Sequence, residues 1–169
     1  MHLIRLLLSL SLLLSAPLLR AEVVSASDTH FVLQHQARSA LGAEALWQRL
    51  IHPERWWNPA HSYSGSADAL SLEARAGGLW LEQWPGGSVA HGRVLMVQEG
   101  SLLRLEAPFG PLQGLGAYTV WTIEVGAGGD GSVVSFREVA QAPPGSDMTR
   151  MSAAVDQVKR EAIGRLAKP

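Results

Sequence analysis

The sequence predicts an α+β domain: a curved antiparallel sheet of about seven strands wrapped around a long C-terminal helix, with two short helices after the first strand. Three observations carry this prediction. Between residues 69 and 140 the chain divides into six short strand-like segments separated by turns rich in Gly and Pro, the last two with apolar and polar residues alternating. From Met148 to Leu166 apolar residues recur at steps of three and four, the period of a helix with one buried stripe. One alternating segment and one helical segment precede the sheet, and only the terminal helix is long enough to cover its concave face.

The chain opens with the three parts of a secretory signal. Met1-His2-Leu3-Ile4-Arg5 is a short basic lead, Leu6 to Leu14 is a Leu/Ser run, and Ser15, Ala16 and Ala21 are small residues beyond it. Pro17 and Arg20 interrupt the run before the roughly 20 apolar residues that a membrane span requires. Residues 1–21 are therefore expected to be removed, with cleavage after Ala21 or as late as Ala26. This leaves 22–169 as one domain of a secreted or periplasmic protein, with no stable membrane insertion. No Cys occurs, so a lipidated-Cys anchor is excluded and packing must replace disulfides. Six Trp supply bulk for that packing.

Residues 22–29 read as a polar lead-in. From His30 to Ala40, Phe31, Leu33, His35 and Ala37 alternate with Val32, Gln34, Gln36 and Arg38, which predicts the first strand. After Gly42 a helix is expected over Ala43 to Ile51, with Leu46, Trp47, Leu50 and Ile51 on one face. Pro53 opens a second short turn through Trp57, at a position where a missing N–H does no harm. Strands are then expected at 69–74, 79–84, 89–98, 102–107, 117–125 and 132–140, and the short turns between them imply an antiparallel meander. Pro143-Pro144-Gly145 ends the sheet, and Ser146 or Asp147 caps the last helix. Its expected stripe is Met148, Met151, Val155, Val158, Ala162 and Leu166, with Lys159, Arg160, Arg165 and Lys168 gathered toward the carboxyl end that favours cations.

Two stretches hold the candidate site residues. In the loop from Trp56 to Gly65, Trp56 and Trp57 are followed by His61 and Tyr63. They form either an aromatic rim with polar handles for an apolar ligand, or a core plug whose polar atoms bond local backbone. On the second pair of strands, period two groups Trp80 with Glu82 and Trp84, and His91 with Arg93. Facing a cavity, such a cluster shifts pKa values and moves protons; facing solvent, it is a cross-strand ion pair worth about 0.2–1 kcal/mol.

Other chemistry finds little support. The His residues are scattered, without the helical pairs or Cys that metal sites use, so no metal or other cofactor is expected. No Gly-x-Ser-x-Gly occurs. The glycines of 126–131 fit a hairpin turn better than a phosphate loop. The formal net charge is −1, with 14 basic and 15 acidic residues, and losing Arg5 and Arg20 makes it more negative. Nucleic acid is therefore not an expected partner.

The order of elements and certain residues together resemble the START-like superfamily, also called SRPBCC or the helix-grip fold. The resemblance is to the branch of the heat-shock-protein-90 ATPase activator homologues and the polyketide cyclase-like proteins. Its carriers are Leu46-Trp47 followed by Pro53 and Trp56-Trp57, Gly77-Gly78 before a strand, His91-Gly92-Arg93-Val94 running on to Leu102–Leu105, and Trp121-Thr122-Ile123-Glu124 with Gly131-Ser132. The resemblance implies a cavity between sheet and terminal helix, used in that superfamily for apolar or amphipathic molecules, but no single chemistry. Candidate lining residues are Trp56, Trp57, His61, Tyr63, Trp80, Glu82, Trp84, His91, Arg93 and Trp121. Three readings follow: a binding domain for a small apolar or amphipathic molecule, a cyclase- or hydratase-type enzyme using His, Glu and Tyr in the same cavity, or a protein-interaction module with an unknown partner. Export disfavours the third, because an ATP-driven cytosolic chaperone is not met outside the cell.

Overall fold

A computed structural model describes residues 20–169, and the expected signal lies almost wholly outside these residues. Among the described residues, eight strands form one antiparallel sheet in the order β1-β2-β8-β7-β6-β5-β4-β3. They are β1 (Arg20–Ala26), β2 (His30–Ser39), β3 (Leu70–Leu72), β4 (Leu79–Trp84), β5 (Gly87–Gln98), β6 (Leu102–Glu106), β7 (Tyr118–Gly128) and β8 (Gly131–Gln141). Helix α1 (Ala43–Leu50) and three 3-10 turns, Pro53–Arg55, Pro59–His61 and Ala67–Ala69, connect β2 to β3. The short α2 (Pro111–Gly114) lies between β6 and β7, and α3 (Met148–Leu166) follows the sheet. This is the expected α+β architecture, an antiparallel sheet with a long C-terminal helix.

Three details of the strands and their connections differ from expectation. The lead-in at 22–29 belongs largely to β1, an eighth strand that pairs Glu22 with Gln34 and Ala26 with Phe31. Val23 and Val24 stay exposed, so this strand leaves no apolar alternation to read; backbone pairing makes it. The strand expected at 69–74 shrinks to Leu70–Leu72, of which only Leu70 is fully buried. The 108–116 connection contains α2, started by Pro111 at its first turn.

The alternation of β2, β7 and β8 holds. Phe31, Leu33, His35, Ala37 and Ser39 of β2 face inward, as do Thr119, Trp121, Ile123 and Val125 of β7 and Val134, Phe136, Glu138 and Ala140 of β8. Asp147 caps α3, its carboxylate accepting from Arg150 N at 3.3 Å.

The face that α3 presents to the sheet is not the expected stripe. Met148, Ala162 and Leu166 are buried as expected, but Ser152, Asp156 and Lys159 fill the face between them. Met151, Val155 and Val158 sit one position back, about 100° around the helix, and are only partly covered. Lys159 therefore does not serve the helix dipole in solvent. It answers an acid in the core: Glu138, paired between Leu33 on β2 and Trp121 on β7. Lys159 Nζ lies 3.0 Å from Glu138 Oε2 and 3.1 Å from the centroid of the Trp121 ring. The two charges touch without hydrogen-bond alignment, and burial pushes the Glu138 carboxyl up and the Lys159 amine down.

One row along, His35 Nε2 bonds Asp156 Oδ1 at 2.8 Å, and Arg160 holds the other Asp156 oxygen. The middle of the sheet–helix interface is thus filled by aromatic rings and paired charges, and an apolar cleft lies beside the amino-terminal half of α3.

Candidate functional site

This cleft, of about 320 Å³, opens between that half of α3 and the His91 end of the sheet. Its lining comes from three places: Trp57, His61, Ser62 and Tyr63 of the β2–β3 connection, His91 of β5 with Phe109–Pro111, and Met151, Ala154, Val155 and Val158 of α3. The wall is mostly apolar, with a few polar groups converging on it, as small-molecule sites generally are.

His91 enters the cleft because of a β-bulge. Leu81 pairs with Ala90 and Trp80 with Gly92, so His91 is the extra residue of β5. A bulge re-aims side chains and breaks the alternation of a strand. His91 is buried, whereas Arg93 points outward and pairs with Glu106 at 3.2 Å. The expected partnership of His91 with Arg93 is therefore broken.

Gly92 lets the bulged strand close onto β6, since a Cβ there would lie 2.8 Å from Glu106 O and 2.9 Å from Ala107 Cβ. Gly92→Ala is expected to cost about 1–3 kcal/mol as overpacking, read as a lower urea midpoint. An unchanged midpoint would mean that β6 yields without cost.

Behind His91 stands Glu82, fully buried. Its carboxylate accepts from His91 Nε2 at 2.8 Å, from Tyr63 N at 3.1 Å and from Ser64 N. Burial acts to raise the Glu82 pKa, but these bonds outweigh it and hold the carboxyl below its ordinary range. An ionised carboxylate only accepts, so Nε2 of His91 carries the proton and Nδ1 keeps the lone pair. Burial pushes His91 below its usual pKa, with Glu82 restoring only part of the loss.

A second pair stands at the mouth. His61 Nε2 lies 3.0 Å from Glu161 Oε2, and Asn58 Nδ2 donates to the other oxygen. The hydrogen bond from His61, with that from Asn58 and the charge of Arg165, holds Glu161 below its ordinary pKa against the opposing effect of burial. The Pro59–His61 turn that sets His61 in place is capped by Asn58, whose side-chain oxygen accepts from Ala60 N at 3.0 Å.

Of the ten candidate residues, Trp57, His61, Tyr63 and His91 converge on the cleft, with Glu82 directly behind. Trp84 stands at the rim, its ring stacked on Tyr63. Trp56, Trp80 and Trp121 are fully buried in the core; Trp56 Nε1 donates to Leu50 O, as a packing tryptophan does. Arg93 lies outside. Sequence reasoning missed Phe109, which stacks on His91 at 5.1 Å between centroids, and the α3 residues of the opposite wall. It also missed Glu138, Asp156 and Lys159. The one readable signal for these was Glu138, in phase with the buried Val134 and Phe136 of β8.

Burial lowers the pKa of both His35 and His91 from 6.5. Below that value the unfolded chain binds protons that the folded chain refuses, so stability present above it is lost as pH falls through the folded pKa values. The urea midpoint is expected to be flat above about pH 7 and to decline below about pH 6.5, before most carboxylates titrate. A midpoint flat down to about pH 5 would contradict this.

No protein-family model matches the chain, and no curated protein matches it. Solved structures do. A Rhodobacter sphaeroides protein matches at 18% identity over 88% of this chain and 96% of that one, with a TM-score of 0.56. An uncharacterized protein from Rhizobium leguminosarum matches at 17% identity over 89% and 95%, with a TM-score of 0.59. CalU16 from Micromonospora echinospora matches at 16% identity over 90% and 83%, with a TM-score of 0.58. At these identities the likeness shows the fold alone: a sheet with a C-terminal helix, consistent with the helix-grip arrangement.

Proposed function

We propose that this chain is an exported START-like domain that binds a small apolar or amphipathic molecule in the cleft between α3 and the His91 end of the sheet. The observation that carries the reading is the cleft itself: an apolar slot of about 320 Å³ on which His61, Tyr63 and His91 converge. Heating the mature domain with and without a lipid extract, followed by native mass spectrometry, tests it. A retained ligand and a raised melting temperature are expected. Ala154→Trp, which fills the slot from an exposed position of α3, is expected to abolish both while leaving the ligand-free melting temperature unchanged. Absence of any ligand or shift in the unaltered domain would end the reading.

Export rests on residues 1–21, and the fold adds a preference for the cut. Cleavage after Ala26 would remove β1, whereas cleavage after Ala21 keeps the pairing from Glu22 to Ala26. The intact mass of the mature protein is therefore expected to correspond to a chain that starts at Glu22.

The Glu82–His91 pair favours a second reading, acid–base catalysis on the bound molecule. A neutral imidazole fixed by a carboxylate is an arrangement that accepts protons. Under this reading His91→Gln abolishes turnover of a bound compound without abolishing its binding.

A further inference from the structure

We infer that a groove along the carboxyl-terminal half of α3 is a second site, which holds a phosphate-bearing molecule between Arg160, Lys168 and Arg38. The cleft uses α3 only as far as Val158, and the groove begins at Arg160. The two sites are therefore separate, and this one does not depend on the ligand-binding reading above. The groove has a volume of about 910 Å³, against about 320 Å³ for the cleft. One wall is Arg160, Glu161, Gly164, Arg165 and Lys168 of α3; the other is the end of β2 with the β7–β8 hairpin.

The helix carries a row of charge with a gap in it. Arg160, Gly164 and Lys168 recur at steps of four and so stand one above another on one face. Glycine weakens a helix interior more than any residue except proline, and close packing is the usual reason for it. Two glycines across the groove have that reason: a Cβ at Gly131 would collide with Ser39 O, and one at Gly128 with Val133 Cγ2. Gly164 does not, because a Cβ there would meet nothing within 4 Å. Its missing side chain keeps a notch open between two cations.

Charge fits an anion in that notch. Arg38 and Lys168 are exposed, and neither side chain meets an acidic partner among the described residues. Arg160 gives Nη2 to Asp156, and Arg165 bonds the carbonyls of Trp56 and Trp57. Each keeps further N–H groups for the groove. The acidic side chains of the lining are Asp130 and Glu161, and both oxygens of Glu161 are already taken, by Asn58 and His61. Ser39 Oγ donates to Ala167 O at 2.7 Å, which satisfies one of the helix-end carbonyls that would otherwise repel an anion. Guanidinium forks match the oxygens of phosphate. Arg160 and Lys168 stand about 12 Å apart along the axis, a gap that two long side chains close over a diphosphate more readily than over one phosphate.

Calorimetric titration of the domain with inorganic pyrophosphate and orthophosphate at low salt tests the inference, beside flotation with vesicles of phosphatidylglycerol and phosphatidylcholine in equal parts. Pyrophosphate is expected to bind more tightly than orthophosphate, and more weakly as salt is raised. Lys168→Gln and Arg38→Gln are each expected to weaken it by up to about fivefold, the yield of one exposed ion pair. Gly164→Leu is expected to abolish binding while raising the urea midpoint, because Leu favours the helix and enters open space; mere unfolding would lower both. Pyrophosphate binding without vesicle binding, lost in Gly164→Leu, supports the site and assigns it a soluble phosphate compound. Vesicle binding lost in the same variant supports the site and assigns its phosphate to a lipid headgroup. Binding of neither probe, or binding that survives all three substitutions, would overturn the inference and leave the cleft reading untouched.

Discussion

Lys159→Met is expected to destabilise the domain by about 3–5 kcal/mol, the cost of leaving one partner of a buried pair uncompensated. Glu138 faces inward between Leu33 and Trp121, and without the ammonium its carboxylate would have neither a counter-charge nor a hydrogen-bond donor, since both oxygens already lack aligned donors. The variant should therefore take up a proton at Glu138, and its deficit should narrow as pH is lowered. The double variant Lys159→Met, Glu138→Leu is expected to recover most of the loss, because a buried ion pair and a well-packed apolar pair of similar volume are often equivalent. Urea midpoints of the two single variants and the double variant make the cycle. If Lys159→Met alone matched the unaltered domain, the charge at Glu138 would not be what Lys159 answers.

Glu82→Leu is expected to be the other large loss, again about 3–5 kcal/mol. One carboxylate satisfies three donors, Tyr63 N, Ser64 N and His91 Nε2, and its removal orphans them together. The damage should be local as well as global. Amide exchange at Tyr63 and Ser64 should quicken, and the imidazole of His91 should lose its fixed tautomer. Glu82 also has a pH signature: its folded pKa lies below 4.5, so its stabilisation is complete above that value and is lost as pH falls through the folded one. Glu82→Gln keeps an acceptor for the loop and should cost less than Leu. Equal midpoints for Gln and Leu would place the value of Glu82 in its charge alone.

The architecture was legible where side chains obey a period. In β2, β7 and β8 every second residue faces inward, and the inward sets are those that alternation predicts. β1 was invisible because backbone pairing holds it while its valines remain exposed. α3 was legible as a helix but not in its rotation. Apolar spacing chose Met151, Val155 and Val158, whereas the buried face uses Asp156 and Lys159, polar residues that only tertiary partners on β2 and β8 make acceptable. The site was half legible for a related reason. Trp57, His61 and Tyr63 are close in sequence and share a loop, so their convergence could be expected. The separation of His91 from Arg93 could not, because a bulge leaves no mark in the period of the strand until its partner is known. Phe109, in a Gly/Pro connection, carried no periodic signal at all.

The sheet order has a further consequence, for when the protein can fold. β2 is made early, yet its partner across the sheet is β8, with His30 opposite Gln141 and Ser39 opposite Ser132. Closing that pair means ordering most of the chain at once, and such non-local pairing is slow. The helix that covers the sheet emerges later still. Strands β3 to β8 can add one to the next as a meander, but β2 waits with its inward residues Phe31 and Leu33 uncovered until nearly the last residue has been synthesised. A nascent chain of this topology cannot complete its sheet until almost its entire length has been made.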